Sequence, residues 1–308
     1  MRTTLRIKVL YLLAQIALAI ICFSSAAFGA AASLVCRLPG NIFVQGEYIT
    51  AVVTLVNTGN KEYAFRYLNP ESGFLSLIVE DSKGDTLPYH GVVIKVREPL
   101  PNQVFLENVI QRGESVSELY EITWEYSNFS DQGDPFSYGF QMFLRPDNYT
   151  LRAVWHNSFS FSHDTLRSNT VRFSVVSPPA HELPAYNAFK EMTNGVLKGV
   201  QTTQSVDSLK KFIRDFPNSA FAPYAKLALA GVYQNLSRFD EKNELVWEII
   251  SDYPESSYAL HALMGSGLKG EDERQFMNKI WHAVPNTLAA RYARDRELQL
   301  QRILLLDK

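Results

Sequence analysis

FIRDFPNSAFAPYA (212–225) returns twice, as IISDYPESSYALHA (249–262) and IWHAVPNTLAARYA (280–293). Aligned on Pro217, Pro254 and Pro285, the stretches place Phe212, Ile249 and Ile280 at one position and Phe216, Tyr253 and Val284 directly before the proline. Ser219, Ser256 and Thr287 share the next common position, followed by the alanine pairs Ala222/Ala225, Ala259/Ala262 and Ala290/Ala293. A period of roughly 30–40 residues is the length used by stacked helical hairpins. Proline disfavours helix in the residue before it, so each stretch ends one helix. Ser or Thr two residues on is a preferred N-cap and opens the next. Alanines three apart on one helix face let a neighbour approach closely, while the large residues before the proline fill the space between hairpins. Working outward, helices are expected at 185–199, 205–216, 219–236, 239–253, 256–268, 271–284 and 287–305. One such hairpin cannot bury its apolar face alone, so several must stack.

Between 33 and 177 the helical period is absent. YITAVVTLVN (48–57) reads as a strand, and further short runs follow at 62–68, 74–80, 92–96, 104–110, 115–124, 138–144, 148–156 and 170–176. Turn signals divide them, among them Thr58-Gly59-Asn60, DSKGD (81–85) and Arg112-Gly113. Short strands at this spacing, with no helix between them, predict an antiparallel β-sandwich. SVVSPPAHELP (174–184) breaks both periods with three prolines. The expected organisation is therefore a leader at 1–32, a β-sandwich at 33–177, a proline-rich linker at 178–184 and helical repeats at 185–308.

The leader has Arg2, Arg6 and Lys8 ahead of an apolar run at 9–23, then the small residues SSAAFGAAAS (24–33). That is the anatomy of a secretory signal, with cleavage after Gly29, Ala31 or Ala32, and the run is short for a membrane span. An uncleaved signal anchor is the alternative. Export would remove Cys22 and leave Cys36 alone, a thiol read as a buried apolar residue on a first strand; Val35 before it argues against a lipoprotein signal.

Composition excludes some classes. The 308 residues are 46% hydrophobic and 20% charged with a net charge of −2, so no basic excess points to nucleic acid or anionic lipid. No phosphate loop, nucleophile elbow or dinucleotide fingerprint occurs. The six histidines, His90, His156, His163, His181, His261 and His282, include no pair at helical ligand spacing. His156 and His163 flank NSFSFS (157–162), a metal site only if further carboxylates join them. No cofactor is expected.

Two resemblances add to this reading. LRPDNYTLRAVW (144–155) delivers Tyr149 from a proline-led turn onto a strand, in the manner of the tyrosine corner. With FVQGEYITAVVTLVNTGNKEYAF (43–65) and IQRGESVSELYEIT (110–123), it resembles bacterial immunoglobulin-like domains of exported proteins. The F-I-x-x-F/Y-P-x-S…A-x-x-A pattern in turn resembles tetratricopeptide-type repeats of the outer-membrane-assembly and Tol–Pal coordinator kind. LALAGVYQNLSRFDEKNELVWEIISDYP (227–254) matches best, and Lys242 and Glu273 depart from it where the pattern wants a small residue. The resemblance implies an immunoglobulin-like sandwich followed by a short tetratricopeptide-like solenoid, placed in the periplasm, cell envelope or outside the cell. It implies a non-enzymatic scaffold for a protein partner, without a membrane span once the signal is cleaved. Tyr224, Tyr233, Tyr258 and His261 are the expected contacts in its groove. The alternative is a carbohydrate-binding module using Trp124, Trp155 and the aromatic loop YSNFSDQGDPFSYGF (126–140), in which Tyr126 and Phe129 are the candidate contacts.

Overall fold

The computed structural model describes residues 31–65, 68, 74–89, 108–126, 144–157, 164–196 and 203–306. The expected leader lies outside these residues except for Ala31 and Ala32, the latter opening the first strand, and the expected strands at 92–96 and 138–143 lie outside them as well. The first part of the described chain is strand: β1 (Ala32–Arg37), β2 (Ile42–Val44), β3 (Thr50–Asn57), β4 (Tyr63–Phe65), β5 (Leu75–Glu80), β6 (Asn108–Ile110), β7 (Ser115–Glu121), β8 (Asp147–Asn157), β9 (Asp164–Arg167) and β10 (Val171–Val176). One sheet has the order β1-β3-β7; a second has the order β2-β10-β8-β5, with β9 also paired to β8; β4 and β6 form a separate ribbon. All pairings are antiparallel except β2 with β10. The two main sheets share a core. Leu34, Cys36, Val53 and Leu55 from the first meet Leu77, Val79, Leu151 and Trp155 from the second.

Side chains at the turns complete the backbone pairing that the strands leave open, because a buried unpaired N–H or C=O is costly. Asn57 is buried at the end of β3. Its Nδ2 donates to the carbonyls of Lys61 (2.7 Å) and Ile110 (2.9 Å), and its Oδ1 accepts from Gly59 N (2.9 Å). Gly59 fits closely here, since a Cβ would stand 3.2 Å from the Ala31 carbonyl oxygen. Asn169 does a strand's work for β1: its Oδ1 accepts from Cys36 N (2.9 Å) and its Nδ2 donates to Cys36 O (3.0 Å). The Tyr149 hydroxyl donates to Arg145 O (2.8 Å), tying the turn before β8 as expected. Cys36 is buried, and burial pushes its thiol up to about 12.

After a single turn, α1 (Ile122–Glu125), the chain becomes helical from α2 (Leu183–Val196) onward. There follow α3 (Thr203–Asp215), α4 (Ala222–Asn235), α5 (Phe239–Asp252), α6 (Ser257–Met264), α7 (Gly270–Ala283) and α8 (Leu288–Leu306). The helices expected from the repeats are present, with ends shifted by a few residues. Ser256 caps α6 by accepting from Ala259 N (3.2 Å), and Thr287 does the same for α8 through Ala290 N (3.1 Å). Ser219 differs. Its Oγ accepts from Phe221 N (3.1 Å) and donates to Glu182 (2.6 Å), so α4 starts later, at Ala222. Ala222, Ala225, Ala259, Ala262 and Ala293 are fully buried where helices pass close, beside the large side chains of Ile249 and Ile280.

The two positions that depart from the repeat pattern are filled by polar ties. Lys242 is buried, its ammonium donates to the Ser266 carbonyl, and burial holds its pKa below the usual lysine range. Glu273 meets Arg296 Nε at 2.7 Å. The fold is thus mixed, with sheets first and helices after them.

Candidate interaction surfaces

β3 decides how strands and helices meet. Its sequence, TAVVTLVN, is buried at nearly every position rather than at alternate ones. Successive strand residues point to opposite faces, so a strand of this kind must be covered on both. Ala51, Val53 and Leu55 face the core between the sheets, whereas Val52, with Tyr48 and Leu119, packs among the helices. Residues 257–264 (α6) lie against β3 and β7, and 288–306 (α8) against β7.

Tyr48 is the centre of this seam. Its ring stacks on Tyr224 (centroids 4.9 Å apart, interplanar angle 24°), lies 4.6 Å from the His261 ring and meets Tyr258 edge-on at 6.2 Å. Hydrogen bonds surround the rings. Thr50 N donates to Ser257 Oγ (3.1 Å), Tyr186 Oη to Gln45 Oε1 (3.3 Å), and Ser115 and Ser117 hydroxyls to Asp295 (3.0 and 2.5 Å). Arg302 pairs with Glu114. Several titratable groups here are displaced. Burial pushes Tyr224 above the usual phenol range, and drives His261 down to about 4 even with Glu121 Oε2 3.3 Å from its Nδ1. Burial also raises Glu47 to about 7, against the hydrogen bond from Val44 N and with help from the nearby Glu182 charge.

A second surface lies on the other side of α4. At about 100° per residue, Lys226, Leu229 and Tyr233 sit on the side of that helix away from Tyr224. There they line an open groove of about 350 Å³ together with Lys210, Ile213 and Arg214 of α3 and Glu241, Glu244, Leu245 and Glu248 of α5. The floor is apolar apart from Lys226, which is buried and held by Glu248 (2.5 Å) and Asp252 (3.6 Å). Tyr233 lies under two cations, with the Arg238 guanidinium 4.4 Å and Lys210 Nζ 6.0 Å from its ring centroid.

The candidate contacts read from the sequence therefore separate. Tyr224, Tyr258 and His261 turn to the sheet, where Tyr48 already occupies the space among them. Tyr233 alone of that group lines the outer groove. Tyr126 is buried against Tyr89 (5.3 Å) and Trp155 lies in the core between the sheets, so neither presents a ring face outward. Phe129, the rest of that loop through 143 and the Trp124 side chain lie outside the described residues. Among the described residues no three His, Cys, Asp or Glu side chains converge as a metal site, and no helix is long and apolar enough to cross a membrane. His156 Nδ1 is 3.1 Å from Thr165 Oγ1; His163 lies outside the described residues. Sequence reading did not single out Tyr48, Ser257 or Asp295. The signal that could have found them is the unbroken apolar run of β3.

No family model matches the chain, and no curated protein sequence matches it. Among solved structures, a β-glucosidase from Erythrobacter marinus is similar over 47% of this chain and 15% of its own, at 13% identity and a TM-score of 0.24. The sporulation control protein Spo0M from Bacillus subtilis is similar over 53% of this chain and 56% of its own, at 11% identity and a TM-score of 0.25. The chain spans less than two thirds of either protein, and at these TM-scores neither likeness carries an argument.

Proposed function

We propose that this chain is an exported, non-enzymatic scaffold that binds another protein, built as an immunoglobulin-like sandwich with a short tetratricopeptide-like stack packed on it. The observation that carries the reading is the outer groove, where three consecutive helices leave an open channel between charged walls, with half-buried Ile213 and Leu245 along it and buried Leu229 and Tyr233 beneath. Grooves between helices are a recurrent seat for peptides and helices of partner proteins. The export part rests on the basic, apolar and small-residue succession of the first 33 residues. The periplasm or cell envelope is the compartment that fits the repeat resemblance.

The test is chemical crosslinking of full-length protein in native envelope extract, with captured material divided into protein and glycan. Recovery of one protein at a reproducible ratio, competed by unlabelled scaffold, is the expected result. Recovery of glycan alone, or of nothing, would sink the reading. Separate halves cut at Pro179 are unsuitable baits, because the cut would strip the cover from Tyr48, Val52 and Leu119.

A further inference from the structure

The same repeat positions behave differently in successive grooves. Between α5 and α7, Trp247 and Lys279 meet across the space: the Lys279 ammonium sits 3.7 Å from the centroid of the indole ring. Counted back from the repeat prolines, Trp247 corresponds to Lys210 and Lys279 to Glu248. These two line the groove between α3 and α5, but form no ion pair with one another. Glu248 is turned instead to Lys226 in the floor. At these matched positions a cation seated on an indole bridges α5 and α7, while the groove between α3 and α5 stands open with unlike charges on its two walls.

The walls have a pattern. Lys210 and Arg214, four apart on α3, make one edge basic; Glu241, Glu244 and Glu248, three and four apart on α5, make the other acidic, with Glu241 already paired to Arg238 (2.8 Å) and Glu248 to Lys226 (2.5 Å). Such spacings put one charge on each helical turn, at rises of about 4.5 and 6.0 Å. Glu244 has no ion-pair partner among the described residues, and Arg214 meets only its exposed neighbour Asp215 (3.3 Å). Between the edges, half-buried Ile213 and Leu245 offer apolar contact above buried Leu229 and Tyr233.

From this geometry we infer that the groove between α3 and α5 seats an amphipathic helix of a partner protein, one whose apolar stripe is flanked by acidic residues along one edge and basic residues along the other. The occupant is a helix because wall charges that recur once per turn are matched by side chains that also recur once per turn. An extended segment repeats on one face every two residues, at about 6.8 Å, and falls out of step. Both edges must be of opposite sign. A helix basic on both edges meets Lys210 and Arg214, and one acidic on both meets the three glutamates. Turning a mixed-edge helix end for end exchanges its edges, so charge fixes which chain direction binds. The apolar stripe packs on Ile213 and Leu245, and the edges supply selectivity. This rests on the scaffold reading and names the seat and the kind of partner.

The test uses full-length protein and three fluorescein-labelled synthetic helices with one leucine stripe. The first carries Glu on one edge and Lys on the other, the second Lys on both, the third Glu on both. Anisotropy titration at low salt is expected to rank the mixed-edge helix about tenfold or more above each of the others, from several modest surface pairs acting together. In the Lys210→Glu/Arg214→Glu protein both walls are acidic, and the preference is expected to move to the helix with Lys on both edges. That exchange cannot come from misfolding, which would weaken all three. Equal binding of the three helices, binding of none, or an unchanged ranking in the double variant would overturn the inference. If the crosslinked envelope partner is captured as well by the double variant as by the parent, the groove fails while the scaffold reading survives.

Discussion

Tyr48 from the strand half stacks on Tyr224 from the helical half, with ring centroids 4.9 Å apart. Both side chains are buried, so neither half can lose the other without exposing an aromatic ring that its own fold does not cover. Tyr48→Ala should cost about 3–5 kcal/mol, the usual range for deleting a buried aromatic ring. In the parent protein, far-ultraviolet dichroism, dominated by helix, and tyrosine absorbance should follow the same urea unfolding curve. Two separated transitions would contradict a shared core.

The seam should also hide a pH dependence. Glu47 holds its proton more tightly when folded, with a pKa of about 7 against an ordinary 4.5. Its contribution to stability is present below pH 4.5 and lost as pH rises through about 7. His261 runs the other way, at about 4 against an ordinary 6.5. Its contribution is full above pH 6.5 and lost as pH falls through about 4. The two slopes oppose each other across the same window, so these groups leave the parent nearly level there. Glu47→Gln should unmask a rise in stability between pH 4 and 6.5, and His261→Gln a fall between pH 4.5 and 7. Each change should approach about 3 kcal/mol. Urea midpoints measured at a series of pH values would check both signs.

Cys36 should be silent to a thiol reagent in the folded protein and fully reactive in denaturant. Its side chain is buried and its thiol is pushed up to about 12, so little thiolate exists near neutral pH. Rapid labelling of native protein would place Cys36 outside the core.

Asn57→Ala should destabilise by about 2–4 kcal/mol, because three hydrogen bonds are lost and their backbone partners stay behind. Asn57→Asp should not restore stability, since a carboxylate cannot donate to the carbonyls of Lys61 and Ile110. Chemical denaturation of both variants gives the comparison.

The sequence was most legible where local chemistry decides local structure. Pro254 and Ser256 end one helix and open the next whatever surrounds them, and Pro285 with Thr287 repeats the device. Ser219 shows the limit of that reasoning. It occupies the same place in the repeat, yet Glu182 takes its hydroxyl, and α4 begins later than the pattern suggests. Lys242 and Glu273 looked like defects beside a small-residue pattern. Their partners, the Ser266 carbonyl and Arg296, are 24 and 23 residues away in sequence.

The packing of helices on the sheet was the part least visible beforehand. Tyr48 and Leu119 are ordinary strand residues until the surface opposite them is known. The run TAVVTLV was informative all the same, since Val52 and its neighbours leave β3 no wettable face. Tyr224, Tyr258 and His261 carried the right signal, an aromatic cluster meant for contact, but the contact is with this chain's own Tyr48. The outer groove escaped notice because it depends on Glu248 turning to Lys226, a choice of partner that spacing cannot reveal.

A stack of helix pairs held only by neighbour contacts behaves as a spring: small rotations accumulate, and pitch drifts with load or temperature. Here α6 and α8 are fastened to β3 and β7 by Ser257, Asp295 and Arg302. The sheet acts as a jig, fixing the rise from one helix pair to the next. The groove between α3 and α5 shares in this through α4, whose Tyr224 is stacked on Tyr48 while its opposite side lines the groove.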